Sequence, residues 1–147
     1  AGPQLIAERI ALYKAELKAH GLSFDPMQVA VARQVYVAND EADKEAALRR
    51  QAAYTKRTVE VSRAPTHAPG GNEGSHVLTY ADRPGRTEEH ALYGTPEEIR
   101  AKLEELRQAG TEYVLLTFSG GVAQLHRFAR EVMPSFSRRA DAASAAE

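Results

Sequence analysis

The sequence predicts an α/β fold in which parallel strands are connected by crossover helices. Two runs have strand character, residues 29–38 and residues 113–118, and the second is apolar almost throughout. Helical patterns precede, separate and follow these runs, so helices and strands alternate along the chain. A nearly continuous apolar strand is typical of a sheet covered on both faces, as parallel sheets usually are.

The composition is that of one ordinary globular domain. The chain has 147 residues, a formal net charge of −1 at pH 7 and a hydrophobic content of 43%. This charge gives no electrostatic indication of a nucleic-acid partner. No apolar stretch has membrane-spanning length and no secretory leader is visible, so we predict no membrane partner and a cytoplasmic location. The absence of cysteine excludes disulfides and thiolate chemistry.

The chain opens with a predicted amphipathic helix, LIAERIALYKAELKAHG, which stops at His20 and Gly21. In the strand at residues 29–38, most β-branched residues share one face. Arg33 and Tyr36 lie on opposite faces of this strand, because strand side chains alternate. Arg33 therefore either holds an anionic group or, as is commoner, pairs with one of the chain's carboxylates.

The next predicted helix begins at Asn39 or Asp40, either of which can cap it, and ends by Pro65. Residues 64–90 are rich in glycine, proline and polar residues, and only HVLTY at residues 76–80 has strand character. Such a long irregular stretch inside a compact domain is typically a lid, a binding loop or disordered. We predict a long loop or lid here.

The segment GTPEEIRAKLEELRQAG predicts the clearest helix, over residues 95–109. Thr95 can cap it, Pro96 stands at the first helical position, and Glu98 completes a capping box. Because Glu97 and Glu98 occupy the positive end of the helix, we interpret this start as structural rather than as an anion site. The helix should pack on the sheet through one apolar stripe, formed by Ile99, Leu103 and Leu106.

The strand YVLLTF is followed by Ser119, Gly120 and Gly121, directly before the last predicted helix. Amides at a helix start can hold a phosphate, but the spacing matches neither a P-loop nor a dinucleotide fingerprint. A tight strand-to-helix turn, for which glycine is suited, is the favoured interpretation. The last helix ends before Pro134, and residues 137–147 are predicted to be a flexible tail.

Four segments form a more specific combination. They are RQVYVANDEADKEA, YGTPEEIRAKLEELRQAGTEYVLLTF, a GG pair and LHRFAREVMPSF. Together they resemble the C-terminal part of the bacterial-luciferase-like flavin-dependent monooxygenases, over most of residues 5–136. The resemblance implies a single α/β domain at residues 1–136 that forms part of a TIM-type (β/α)8 barrel. Members of that family are longer chains, so a complete barrel would need further strands from another copy or chain segment.

The resemblance implies a flavin-dependent oxidoreductase that oxidises an unidentified organic substrate with reduced flavin and O2. FMN or a deazaflavin would bind at the C-terminal ends of the strands, which makes Ser119, Gly120 and Gly121 weak candidates for cofactor contact. The family holds the flavin phosphate mainly through earlier barrel segments, so this chain alone is not expected to bind flavin tightly. No catalytic residue can be named, as expected where a flavin supplies the reactivity.

Three histidines, His67, His76 and His90, fall in or beside the long loop and are weak candidates for contact with the substrate or as part of a lid. No metal site is predicted, since the histidines lack ligand spacing. A second hypothesis, from another class, is a non-catalytic truncated relative that acts as an interaction or oligomerisation module. Exposed strand edges would then bind a partner or form a homo-oligomer, and flavin titration separates the two hypotheses.

Overall fold

The computed structural model describes residues 2–63 and 91–137, except for the side chains of residues 59–63. The predicted loop at residues 64–90 and nearly all of the predicted tail lie outside this part. None of the described helices is long and apolar enough to cross a membrane. The elements are α1 (Pro3–Ala19), a 3-10 turn (Pro26–Gln28), β1 (Ala30–Val37), α2 (Glu41–Arg63), β2 (Ala91–Gly94), α3 (Pro96–Gln108), β3 (Tyr113–Phe118) and α4 (Gly121–Glu131).

The three described strands form one parallel sheet in the order β2-β1-β3. β1 pairs with β3 from Ala30 opposite Tyr113 to Val35 opposite Phe118. Its second half also pairs with β2, beginning at Gln34 opposite Ala91. The predicted parallel pairing of the two strand runs is confirmed, and with it the α/β class. Parallel strands joined by crossover helices are also the units from which a TIM-type barrel is built.

The order places β1 in the middle, whereas neighbouring strands of a complete barrel follow one another along the chain. The crossover through α2 leads from β1 to β2, and the crossover through α3 leads back over β1 to β3. Because these connections run in opposite directions, right-handed crossovers require α2 and α3 to lie on opposite faces. The packing agrees: Ile99 of α3 lies with Val35 and Val37, but Ala47 of α2 lies with Tyr93.

The main core lies between the sheet and helices α3 and α4. Val35, Val37, Ile99 and Val132 are fully buried there, together with Leu92 and Phe128. A second cluster joins Ile6 and Ile10 of α1 to Leu106 of α3. Leu103 packs against both clusters, so the apolar stripe predicted for α3 is confirmed.

The described residues cover the opposite face of the sheet only in part. We call the part formed by Ala30, Ala32, Tyr113 and Leu115 the open face. Tyr113 is 38% exposed and Leu115 is 46% exposed, while α2 packs nearer the C-terminal ends of the strands. An exposed apolar sheet surface is a site of potential association.

Strand β2 was not predicted from the sequence. It has only four residues, ALYG, and all four are buried. Such a short apolar run carries no helix or strand periodicity of its own. Its pairing with the centre of β1 specifies it as a strand, which is a contact between residues far apart in the sequence.

The capping box at the start of α3 is confirmed. Thr95 N donates to Glu98 Oε2 at 2.8 Å, and Glu98 N donates to Thr95 Oγ1 at 3.4 Å. Lys44 Nζ of α2 lies 2.8 Å from Glu98 Oε1, so the same carboxylate links the two crossover helices. The hydrogen bond from Lys44, followed by that from the Thr95 backbone, lowers the pKa of Glu98.

We expect Glu98→Gln to lower the free energy of unfolding at pH 7 by about 0.3–1 kcal/mol, the usual size of a charge at a helix N-terminus. Glutamine keeps the hydrogen bond from Thr95 N, and the partly exposed ion pair with Lys44 should add little. Because the folded-state pKa lies below the unfolded value, the stabilisation is complete above the unfolded pKa and is lost as pH falls through the folded pKa. The difference between wild type and variant, measured by urea unfolding, should therefore shrink below about pH 4. The control is Glu16→Gln, which changes an exposed glutamate of α1. A difference in stability that does not vary with pH would contradict the prediction.

Candidate functional site

A cleft of about 270 Å³ lies at the C-terminal ends of the strands. Ligands of open parallel sheets bind at this edge, outside the carboxyl ends of the strands. We call it the strand-end cleft. It is lined by the ends of β1 and β2, by the exit of β3 and by one face of α2, through Tyr36, Ala47, Arg50, Gln51, Tyr54, Tyr93, Ser119 and Gly120.

Two tyrosines form its floor. Tyr36 and Tyr93 are opposite each other in the ladder, and their ring centroids are 5.8 Å apart. The Tyr36 hydroxyl donates to Asp43 Oδ1 at 2.9 Å, while the Arg50 guanidinium carbon lies 5.5 Å from the Tyr36 ring centroid. Burial, and then the bond to Asp43, raises the pKa of Tyr36. This phenol therefore stays protonated at neutral pH.

Ser119 is held at the strand exit by the Tyr93 hydroxyl. The two oxygens are 2.6 Å apart, and the Tyr93 hydroxyl also lies 3.4 Å from Gln51 Oε1. Since an amide oxygen only accepts, Tyr93 donates to Gln51 and Ser119 donates to Tyr93 in a consistent assignment. Burial raises the pKa of Tyr93, which keeps this proton in place.

The two glycines after Ser119 adopt left-handed backbone conformations. The φ angles are +108° at Gly120 and +70° at Gly121, a region that favours glycine. A Cβ atom at Gly120 would lie 2.8 Å from Gln124 Cγ. The tight turn is therefore a sufficient reason for glycine at both positions. Gly120 lines the cleft, whereas Gly121 is not among its lining residues.

The helix starts at this edge differ in charge. At the start of α2, Asp43 N donates to Asp40 Oδ1 at 2.8 Å, and Asp43 Oδ2 accepts from Asn39 N at 2.9 Å. The bond from the Asn39 backbone lowers the pKa of Asp43, so this start carries carboxylates, as does that of α3. By contrast, α4 has neither a side-chain cap nor an acidic residue in its first turn.

The end of β1 is fixed by two polar side chains of α4 that the sequence did not single out. Val37 N donates to Gln124 Oε1 at 2.7 Å, and Arg127 Nη1 donates to Val37 O at 2.7 Å. A second bond joins Arg127 Nη2 to Ala38 O at 3.2 Å. These side chains continue the hydrogen bonding of β1 beyond the end of β3. Their i, i+3 spacing was the only sequence signal, and it also fits a solvated helix face.

The sequence-predicted candidates separate in space. Ser119 and Gly120 meet in the strand-end cleft. Arg33 lies in the middle of β1 and does not line this cleft; it is 7% exposed and donates to Ala32 O at 2.9 Å. Within residues 2–63 and 91–137, no group of three or more metal-ligating side chains could hold an ion. The candidates His67, His76 and His90 lie outside the described residues.

The comparisons with known proteins identify the family. The chain matches the model of the luciferase-like monooxygenases over residues 1–113, from before α1 to the first residue of β3. Ser119, Gly120 and Gly121 lie beyond the matched range. The chain has no significant match among curated proteins or among solved structures. Because the matched range covers well over half of its 147 residues, the chain belongs to the luciferase-like monooxygenase family.

Proposed function

We propose that this chain forms one wall of the active site of a flavin-dependent monooxygenase, and that this wall is the strand-end cleft. The observation that carries the proposal is the convergence of Tyr36, Tyr93 and Ser119 with Arg50 of α2 at the C-terminal ends of parallel strands. That edge is where α/β enzymes bind small ligands. The substrate is a small organic molecule.

The chemistry of the lining residues fits part of a flavin, whether FMN or a deazaflavin. Such a cofactor combines a flat aromatic ring with an anionic phosphate. The cleft offers tyrosine rings for ring contacts and Arg50 for an anionic group. The carboxylate of Asp43, beside the cleft, already accepts hydrogen bonds from the Tyr36 hydroxyl and from Asn39 N. Its 270 Å³ falls below the roughly 300–1,000 Å³ of complete small-molecule sites. The remaining wall is supplied by another segment or another copy.

Each lining residue then has a distinct role. Arg50 binds the anionic group, and the tyrosine rings exclude water from one side of the ligand. The hydrogen-bonded Ser119 and Tyr93 fix the edge of the wall, because their 2.6 Å contact ties the β3 exit to β2. A bound reduced flavin supplies the reaction with O2 by which the substrate is oxidised.

Arg50→Met should weaken FMN binding about tenfold, because a charge-assisted hydrogen bond to an anion is worth about 1.5–3 kcal/mol. The measurement is flavin fluorescence titration, extended to millimolar protein to reach weak binding. Arg49→Met is the matched control, since Arg49 pairs with Glu45 on the exposed side of α2 and does not line the cleft. Equal affinities for the two variants would argue against the proposed wall.

A second function, a non-catalytic interaction module, is favoured by a different observation. The open face carries exposed apolar side chains, Tyr113 and Leu115, and no strand of the described residues pairs with the outer edge of β3. Such surfaces bind other chains. The two functions differ in one measurable respect: a module has no binding of FMN that depends on Arg50.

A further inference from the structure

The hydrogen bonds that join Ser119, Tyr93 and Gln51 run in one direction, which is set at Gln51. Gln51 Oε1, 3.4 Å from the Tyr93 hydroxyl oxygen, can only accept. Because Tyr93 directs its one hydroxyl proton to Gln51, the 2.6 Å contact with Ser119 Oγ is made by the Ser119 proton. Burial raises the pKa of Tyr93, so the phenol keeps its proton. The lone pairs of Ser119 Oγ then have no donor among the described residues.

The Tyr36 hydroxyl is oriented in the same sense. It donates to Asp43 Oδ1 at 2.9 Å, and the backbone hydrogen bond that lowers the pKa of Asp43 keeps this carboxylate ionised at neutral pH. The hydroxyl protons of Tyr36, Tyr93 and Ser119 are therefore all directed to protein acceptors. Arg50 has the opposite character, because a guanidinium group only donates. A ligand in the strand-end cleft meets one cationic donor and several hydroxyl oxygens that can accept.

We propose that Ser119 is a specificity-determining residue of the strand-end cleft, and that Gln51 is the positioning residue that turns the lone pairs of Ser119 towards the ligand. The ligand is an anionic aromatic molecule whose ring carries an N–H or O–H donor. Arg50 binds the anionic group, and Ser119 Oγ accepts from the donor. This inference rests on the proposed function, which assigns Arg50 to the anion. A ligand with only an acceptor at that place leaves the lone pairs of Ser119 unpaired, and this lowers its affinity.

Two probes that differ by one methyl group test the preference. Both para-hydroxyphenyl phosphate and para-methoxyphenyl phosphate have an aromatic ring and an anionic group, but only the first can donate from its ring substituent. The wild-type chain should bind the hydroxyl probe about fivefold more tightly, the effect of one hydrogen bond. The measurement is a phosphorus NMR titration of each probe, extended to millimolar protein. Ser119→Ala should bind the two probes with equal affinity.

Two substitutions at Gln51 separate positioning from a structural role. Gln51→Lys places a donor beside Tyr93, which then donates to Ser119 and frees the Ser119 proton for the ligand. The methoxy oxygen can accept this proton, so the preference for the hydroxyl probe should disappear. Gln51→Glu keeps an acceptor at the same place, and it should retain the preference although its charge weakens both probes. A wild-type chain without the preference, or a preference that survives in Gln51→Lys, would overturn the proposal.

Arg50→Met separates this proposal from the proposed function. It should weaken both probes by the same factor and leave their ratio unchanged. Loss of affinity in Arg50→Met without any preference in the wild type would overturn only the role of Ser119. No effect of Arg50→Met on either probe would overturn the proposed function, and no binding of either probe would overturn both.

The donor can belong to the flavin or to the substrate, and a methylated flavin distinguishes the two sources. Oxidised FMN has a single N–H group on its ring, and methylation at this nitrogen removes that donor. If the flavin supplies the donor, methylation should lower the affinity of the wild-type chain about fivefold, and it should not change the affinity of Ser119→Ala. If the substrate supplies it, FMN and methylated FMN should bind the wild-type chain equally. A loss of affinity on methylation that persists in Ser119→Ala would contradict the role of Ser119.

Discussion

Replacing Leu103 by alanine is expected to lower the free energy of unfolding by about 2–5 kcal/mol. Leu103 packs against the main core cluster under β1 and also against the α1 cluster. Truncation therefore removes contacts on two sides and leaves a cavity between α3 and the sheet, in addition to the lost burial of the methyl groups. A loss of this size is a large share of the total stability of a small domain.

Urea denaturation with a common m value gives this difference directly. The matched control is Leu12→Ala on α1, because Leu12 is 63% exposed and its truncation should change stability by less than about 0.5 kcal/mol. A loss below about 1 kcal/mol for Leu103→Ala would mean that α3 is not held against the sheet. The comparison separates the loss of a buried contact from the effect of leucine on helix propensity.

Helix α3 shows which parts of the fold are predictable from the sequence. Its cap, its first proline, its apolar stripe and its end all lie within one stretch of chain, and the structure has it at Pro96–Gln108. The strands β1 and β3 were also predicted, because β-branched and apolar residues concentrate in them. Their parallel pairing followed from the alternation of helices and strands.

The position of β2 and the order β2-β1-β3 could not be predicted in the same way. Both depend on which surfaces meet after the chain has folded back, and four residues contain too little pattern to decide this. The bonds of Gln124 and Arg127 to the end of β1 depend on the same non-local placement. A polar residue on an amphipathic helix has the same local signal whether it meets water or a strand end.

The residues of the candidate site also differ in whether the sequence could predict them. Ser119 and Gly120 were candidates because a strand exit before a helix is visible in the sequence. Tyr93, Arg50 and Gln51 were not, although Arg50 and Gln51 share a helical face with Ala47 and Tyr54 at the i, i+3, i+4, i+7 spacing. That face can be recognised as part of a site only in the folded structure, where β2 places Tyr93 against it.

The isolated chain is expected to self-associate. The outer edge of β3 has no partner strand in the described sheet, and its sequence YVLLTF carries none of the charges or prolines that protect natural edges. Leu115 on the open face is 46% exposed, which adds apolar area to the unpaired backbone. Sedimentation velocity should therefore show species larger than a monomer at micromolar concentration. Leu115→Lys should shift the distribution towards monomer, whereas Leu12→Lys on α1 should not.

The same sample should bind flavin only weakly, with a Kd above about 10 μM. Micromolar affinity corresponds to a binding free energy of about 8 kcal/mol in magnitude. A cleft of 270 Å³ that encloses a ligand from one side only contacts too little of the flavin to supply it. Flavin titration and sedimentation on one preparation test the predicted self-association and the predicted weak flavin binding together. A stable monomer with micromolar flavin affinity would contradict both. It would mean that the described sheet is sufficient by itself, and that Ser119, Gly120 and Gly121 form a true cofactor loop whose glycines serve the ligand as well as the turn.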